Sequence, residues 1–355
     1  EKEEQERLLR IETQHQAQLL REKQTQQRIQ REIEEQERIA HKEREEAIER
    51  AKPPSFVMEA NELVRSVFER RMQYAAPFES STDASIKKRR MQMKKIIVRG
   101  FNTLVPDELK IRSVVDSVVA AIRESQVVDD QAKRFLQQQQ GGCAPEMAYG
   151  TFYLLDLIVS DVIKRSEAEG FNGTRGDGFP LAITVTLIST KLAEEQSAVR
   201  KQFEDTMAAH LYAVCPMAIP SVSRATSVDG KAMTELELKE SLGMKKLKAT
   251  SSEQELKFET FERFLARTEG LISITAALQC AKPINHTMLN GQKGALTWLT
   301  RFLDSLPAPP AKPLPLTTAP VLIAFLTVAG HMLANTFADD FLTMVDIIQN
   351  SVKGR

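Results

Sequence analysis

Two regimes of apolar spacing divide the chain. From residue 87 onward, apolar positions recur at intervals of three and four in stretches separated by Pro, Gly and Ser, which predicts amphipathic helices sharing a core. The stretches are 108–125, 147–169, 179–194, 199–214, 259–280 and 290–306, followed by the pair 318–335 and 339–352. Within 179–194 the run LAITVTLIST is rich in β-branched residues and locally resembles a strand. Its length and helical neighbours assign it to helix, and no strand–turn–strand alternation occurs elsewhere. Successive helices with short connections predict an all-α fold of the HEAT-like helical repeat (solenoid) type rather than a four-helix bundle.

Residues 1–51 follow a different rule. They contain no Pro, Gly or aromatic residue, and segments such as REIEEQER place opposite charges three and four apart, supporting an exposed helix. Their apolar residues, among them Leu8, Leu19, Ile29, Ile39 and Ile48, do not sustain a heptad, so a self-associating coiled coil and a lone solvated helix both stay open. The KPP at 52–54 ends this helix. Residues 55–73 read as a short amphipathic helix and 77–85, PFESSTDAS, as a linker. The expected organisation is therefore 1–51 charged helix or coiled coil, 52–86 linker with a short helix, and 87–355 helical repeat domain.

Composition narrows function mainly by exclusion. With 355 residues, 42% of them apolar, the chain can bury a sizeable core. Lys plus Arg and Asp plus Glu are 48 each, so net charge indicates no partner and only local clusters can. Three scattered cysteines, Cys143, Cys215 and Cys280, make neither a disulfide framework nor a zinc spacing and fit a reducing compartment. The charged start argues against a signal peptide, and the apolar run 321–334 is too short to span a bilayer. A soluble intracellular protein without membrane insertion is expected. The chain has no initiator Met and opens within a helical pattern, which suggests part of something longer.

The stretch HLYAVCPMAIP, residues 210–220, invites a nucleophile reading of Cys215 beside His210. A helix C-terminus disfavours a thiolate, however, and a His five positions earlier lies off the same face, so Cys215 reads as packing and Pro216 as the helix stop. The loop GFNGTRGDG, 170–178, lacks the spacing of a phosphate loop, and His286 lies in a loop without a second ligand at metal spacing. No nucleophile or acid–base constellation emerges, so the chain does not read as an enzyme. Basic clusters carry more. Lys87, Lys88, Arg89, Arg90, Lys94, Lys95 and Arg99 fall together without an acidic residue, GMKKLK supplies Lys245, Lys246 and Lys248, and Lys164 adjoins Arg165. Singly, such runs are solvated faces or localisation signals; converging from separate helices, they would form a polyanion pocket. No aromatic interleaving supports single-strand stacking.

From about Lys94 onward, GFPLAITVTLIS, HLYAVCPMAIP, LGMKK, ERFLARTEGLISITAALQ, a loop with His286, and GQKGALTWLTRFLD with Trp298 follow one another. In that order they resemble the GLE family of nuclear mRNA export mediators, the nucleoporin-associated RNA export factors, over roughly three quarters of the chain. The resemblance implies a non-enzymatic helical domain, preceded by a coiled coil, that binds a DEAD-box RNA helicase at the cytoplasmic face of the nuclear pore complex. It implies stimulation of the helicase's ATPase and RNA-release cycle, an FG nucleoporin anchor, and translation initiation and termination factors as further partners. It also implies inositol hexakisphosphate at the helicase interface, held here by Lys94, Lys95, Lys164, Arg165, His210, Lys245 and Lys246. Ala213, Val214 and Thr343 stand where the family usually has lysines, so that site is expected to be weakened. The chain stops soon after 339–352, and the family's last helices are expected to be absent. Two other readings compete: a helical scaffold of the translation-initiation type that binds a helicase in the cytoplasm, and an RNA-binding protein working through the Lys87–Arg99 patch.

Overall fold

The computed structural model describes residues 30, 34–39, 41–42, 54–138, 144–168, 178–220, 233–247, 258–281, 283, 286–306 and 315–353. Residues 1–53 with 225–233 form one unit, and residues 54–224 with 234–355 another. In the first, residues 34–39 are helical and exposed, with an Arg38–Glu35 ion pair of 2.8 Å. Most of the charged segment 1–51, and with it the choice between coiled coil and lone helix, lies outside the described residues. So do Cys143, Lys248 and most of the glycine-rich loop.

The second unit is all-α. Helix α1, Ser55–Arg70, runs through a π-helical turn, Arg71–Ala75, into the short α2, Ala76–Ser80. Helix α3, Ala84–Asn102, is capped by the Asp83 carboxylate, which accepts from the N–H groups of Ser85 and Ile86 at 2.8 and 3.1 Å. Next come α4 (Glu108–Gln137), α5 (Gly150–Ala168), α6 (Gly178–Glu195) and α7 (Ser197–Val214). The remainder are α8 (Glu235–Ser241), α9 (Phe261–Cys280), α10 (Gly291–Asp304), α11 (Thr318–Thr336) and α12 (Ala338–Lys353). Among the described residues the one β-like feature is an isolated antiparallel bridge between Lys246 and Phe258.

Two local readings resolve against sequence appearance. The strand-like run is helix α6. Its threonine hydroxyls donate back to carbonyls one turn earlier, Thr184 to Pro180 at 2.7 Å and Thr190 to Thr186 at 2.8 Å, so β-branching does not leave a polar group stranded. The stretch 77–85 is more than linker: Pro77 sits in the first turn of α2, where its missing N–H costs nothing, and Phe78 is fully buried 5.2 Å from the Tyr153 ring. Residues 54–86 thus pack within the same unit as the helices that follow.

Helix α9 is the centre of this unit. Every residue from Gly270 to Gln279 is buried, as expected for a helix packed on all sides, here by α5, α6, α10 and α11. Helix α11 is long and apolar enough to cross a membrane by length and composition. It nevertheless buries Val321, Phe325, Ala329 and Leu333, one turn apart, in the shared core, and packs on α9. Trp298 of α10 stacks between Phe302 and Phe325 at 4.9 and 4.0 Å, and its indole N–H donates to the Ala218 carbonyl at 3.1 Å. Each such large side chain contributes about 1.5–3 kcal/mol by leaving water. Together they fix the segment after α7, on which the candidate site rests.

Candidate ligand- and partner-binding surface

The site is built where the ends of α5 and α7 meet the turn after α8. Helix α7 stops because Pro216 forces its predecessor out of helical geometry: Cys215 has φ −132° and ψ 88°, while its N–H still reaches the Leu211 carbonyl at 2.8 Å. Cys215 is 2% exposed, and burial pushes its thiol up to about 11. It is a packed helix end and not a nucleophile.

The LGMKK turn docks on that stop. Helix α8 closes with Gly243 N–H on the Glu240 carbonyl and Met244 N–H on that of Lys239, at 2.9 and 3.0 Å. Gly243 takes φ +78°, and a Cβ there would lie 2.7 Å from Pro216 Cδ. The glycine is needed for its backbone angle and for this close approach.

Arg267 of α9 then ties the pieces together. Its guanidinium donates to the carbonyls of Val214 (3.1 Å) and Gly243 (2.7 Å), pairs with Glu259 at 2.5 Å, and lies 3.8 Å from Glu167 at the end of α5. Burial alone would raise the Glu259 carboxyl, but Arg267 and the Lys245 N–H, 2.7 Å away, outweigh it and hold it below the ordinary glutamate value. One buried cation therefore fixes the ends of two helices and the basic turn.

Around this hub the structure gathers some of the expected basic residues and separates others. Lys164 is exposed on α5, one turn before Glu167, and has no ion-pair partner among the described residues. Glu167 pairs with Lys245 at 2.6 Å, and Lys246 pairs with Glu240 at 2.7 Å. Ala213 is exposed beside them and Val214 half-buried. Arg165 faces the end of α3, reaching Asn102 Oδ1 at 2.6 Å and the Phe101 carbonyl at 3.4 Å, with Asp161 beside it at 2.7 Å. Lys94 and Lys95 are exposed about two turns earlier on α3, and Thr343 is exposed on α12.

His210 does not reach this surface. It is 8% exposed, stacks on Phe68 at 5.1 Å, and places Nε2 3.1 Å from Asp156 Oδ1. Arg71, in the π turn, donates its Nε to both Asp156 oxygens at 3.0 Å. Burial pushes the Asp156 carboxyl up, yet His210 and Arg71 more than offset this and hold it below the ordinary aspartate value. The cluster fastens α1 and the π turn to α5 and α7. Sequence reasoning missed Glu167, Glu259 and Arg267. The available signal was an arginine one turn from Phe264 and Leu271 on the buried face of α9, a place where only a paired charge is tolerated.

A polyanion approaching this surface meets Lys164 unpaired and must compete with Glu167 and Glu240 for Lys245 and Lys246. Among the described residues no group of three or more His, Cys, Asp or Glu side chains could hold a metal ion.

No curated protein sequence matches the chain. Its fold is similar to that of solved structures, among them these two. One is the S. cerevisiae Dbp5 C-terminal domain, as a point variant, bound to Gle1 and IP6, with TM-score 0.60, 13% identity, and coverage of 84% of this chain and 88% of that chain. The other contains a point variant of Gle1 as well, with TM-score 0.59 and the same 13% identity and 84% and 88% coverage. At this identity the likeness speaks to fold alone. Family membership rests on sequence: residues 70–349 match the family described as GLE1-like protein, well over half of the chain, and the chain belongs to that family.

Proposed function

We propose that this chain is an mRNA export factor that binds a DEAD-box RNA helicase and regulates it rather than catalysing a reaction. The observation that carries the reading is membership of the GLE1-like family over residues 70–349. Its fold is the one found in complexes of Gle1 with the Dbp5 C-terminal domain and IP6. The surface formed by α5, α7 and the LGMKK turn supports it, because Lys164, Lys245 and Lys246 stand on a rigid base set by Arg267. Binding one arrangement of the helicase lobes better than another shifts the helicase toward that arrangement, and RNA and nucleotide leave faster. Action at the cytoplasmic face of the nuclear pore, anchored by an FG nucleoporin, belongs to the same proposal.

Inositol hexakisphosphate joins this surface weakly. Each charge-assisted bond contributes about 1.5–3 kcal/mol, Ala213 and Val214 supply none, and Lys245 and Lys246 must first leave Glu167 and Glu240. The test is calorimetric titration of the chain with the C-terminal lobe of its organism's export helicase, with and without inositol hexakisphosphate, at two salt concentrations. Binding that strengthens with the phosphate and weakens with salt is expected. Absence of binding in every condition would overturn the proposal.

A further inference from the structure

Of the seven cations clustered in the α3 sequence, two turn inward. Arg89 pairs with buried Asp129 at 2.8 Å and donates to the Ser125 and Met147 carbonyls at 2.7 and 2.9 Å. Arg90 donates to the carbonyls of Phe78 (3.1 Å), Glu79 and Ser81 (3.4 Å). The other five, Lys87, Lys88, Lys94, Lys95 and Arg99, are exposed and have no ion-pair partner among the described residues. The helix cannot roll to hide them, because Ile86, Met93, Ile97 and Phe101 anchor its opposite face in the core.

Their arrangement repeats every seven residues. Lys87 and Lys94 form one row and Lys88 and Lys95 another, and between them lie Met91 and Val98, 72% and 43% exposed. The pattern continues over about 18 Å of helix, from Lys87 to Arg99. Seven-residue repetition keeps one row of side chains facing a second helix that crosses at a shallow angle. An apolar row flanked by charge is the cross-section of a protein interface, with a dry centre and a polar rim. Methionine suits such a centre because it adapts to its partner. RNA fits less well: the one aromatic residue of α3, Phe101, is 3% exposed, so this face offers bases no aromatic ring to stack on.

We propose that the exposed face of α3 docks an acidic amphipathic helix of a partner protein, one that presents apolar residues at heptad spacing between rows of Asp or Glu. Charge complementarity selects the occupant, since no acidic residue occurs between Asp83 and Asp107. Lys94 and Lys95 are also among the residues expected to hold inositol hexakisphosphate, whereas the exposed Met91 and Val98 have no part in that site and mark the surface as a protein interface.

The probe is a synthetic helical peptide carrying Leu seven residues apart between rows of Glu, titrated by fluorescence anisotropy against the full chain. An unstructured RNA oligonucleotide is titrated in parallel. Two double variants are compared: Lys88→Glu with Lys95→Glu, and Met91→Ser with Val98→Ser, each checked for native circular dichroism. All four positions are exposed, so the variants should fold. The expected result is peptide binding that each double variant weakens at least about tenfold, as for loss of charge-assisted contacts in one and of the apolar centre in the other. Unchanged binding by the Met91/Val98 variant would show mere charge attraction and overturn the proposal. So would tighter binding of the RNA than of the peptide, or no peptide binding at all.

Discussion

Replacing Arg267 by Met keeps much of the buried stem and removes every N–H donor of the guanidinium. Glu259, 9% exposed, is left with the Lys245 N–H at 2.7 Å and no cation in direct contact. The Val214 and Gly243 carbonyls lose donors at 3.1 and 2.7 Å. Breaking a buried ion pair by deleting one member costs about 3–5 kcal/mol, and each abandoned carbonyl, being only half-buried, adds less than the about 1–3 kcal/mol of a fully buried one. Partial access of water to the turn lowers the sum, so Arg267→Met should lose at least about 3 kcal/mol. Adding Glu259→Gln removes the stranded charge, and the double variant should recover about 2 kcal/mol relative to Arg267→Met alone. Urea unfolding followed by Trp298 fluorescence measures this well, because Trp298 is the one tryptophan of the chain, is 2% exposed and bonds to Ala218 just beyond the Cys215–Pro216 stop. Circular dichroism should give a coincident transition. A loss below about 1 kcal/mol, or strictly additive effects of the two substitutions, would refute the claim that Arg267 holds the site together.

Cys215→Ala should cost about 1–2 kcal/mol and leave partner binding intact, and the native thiol, pushed up to about 11, should resist a disulfide reagent at pH 8 until the chain unfolds. Rapid modification of the folded protein would contradict its burial. Replacing Ala213 and Val214 together by Lys should tighten inositol hexakisphosphate binding at least about tenfold, with exposed Ala213 responsible for most of the gain; no gain would mean that this helix end faces away from the ligand. Because the Asp156 carboxyl is held below its ordinary value in the fold, the unfolded chain takes up that proton first as pH falls. Its contribution is complete above about pH 4 and lost as pH drops through the folded value, so Asp156→Asn should flatten the acid limb of a stability–pH curve. An acid limb unchanged by the substitution would contradict that account.

Much of the fold was legible because apolar spacing is a local property. The helix ends at 214, 280 and near 305 follow from Pro216, from the loop around Pro283 and from the loss of apolar period, and they appear where expected. The π turn was not legible, since Arg71–Ala75 carries no proline or glycine to announce it. Nor was the packing of Phe78, because PFESSTDAS has the composition of a linker and only tertiary contact with Tyr153 reveals its role. At the candidate site, sequence supplied the exposed lysines but not their carboxylate partners. Glu167 and Glu259 look like ordinary helix-surface residues until the chain folds Lys245 and Arg267 against them. His210 shows the converse. The family resemblance implied it as a ligand, whereas its place on the stripe Phe203–Met207–Leu211 buries it against Phe68 and Asp156.

The most direct test of the central claim is the steady-state, RNA-dependent ATPase rate of the export DEAD-box helicase with and without this chain. The full chain should raise the rate, hydrolyse no ATP alone, and lose most of the stimulation when Lys164 and Lys245 are both replaced by Glu in a variant that stays folded. An unchanged helicase rate at saturating chain, or full stimulation by that charge-reversed variant, would contradict that claim.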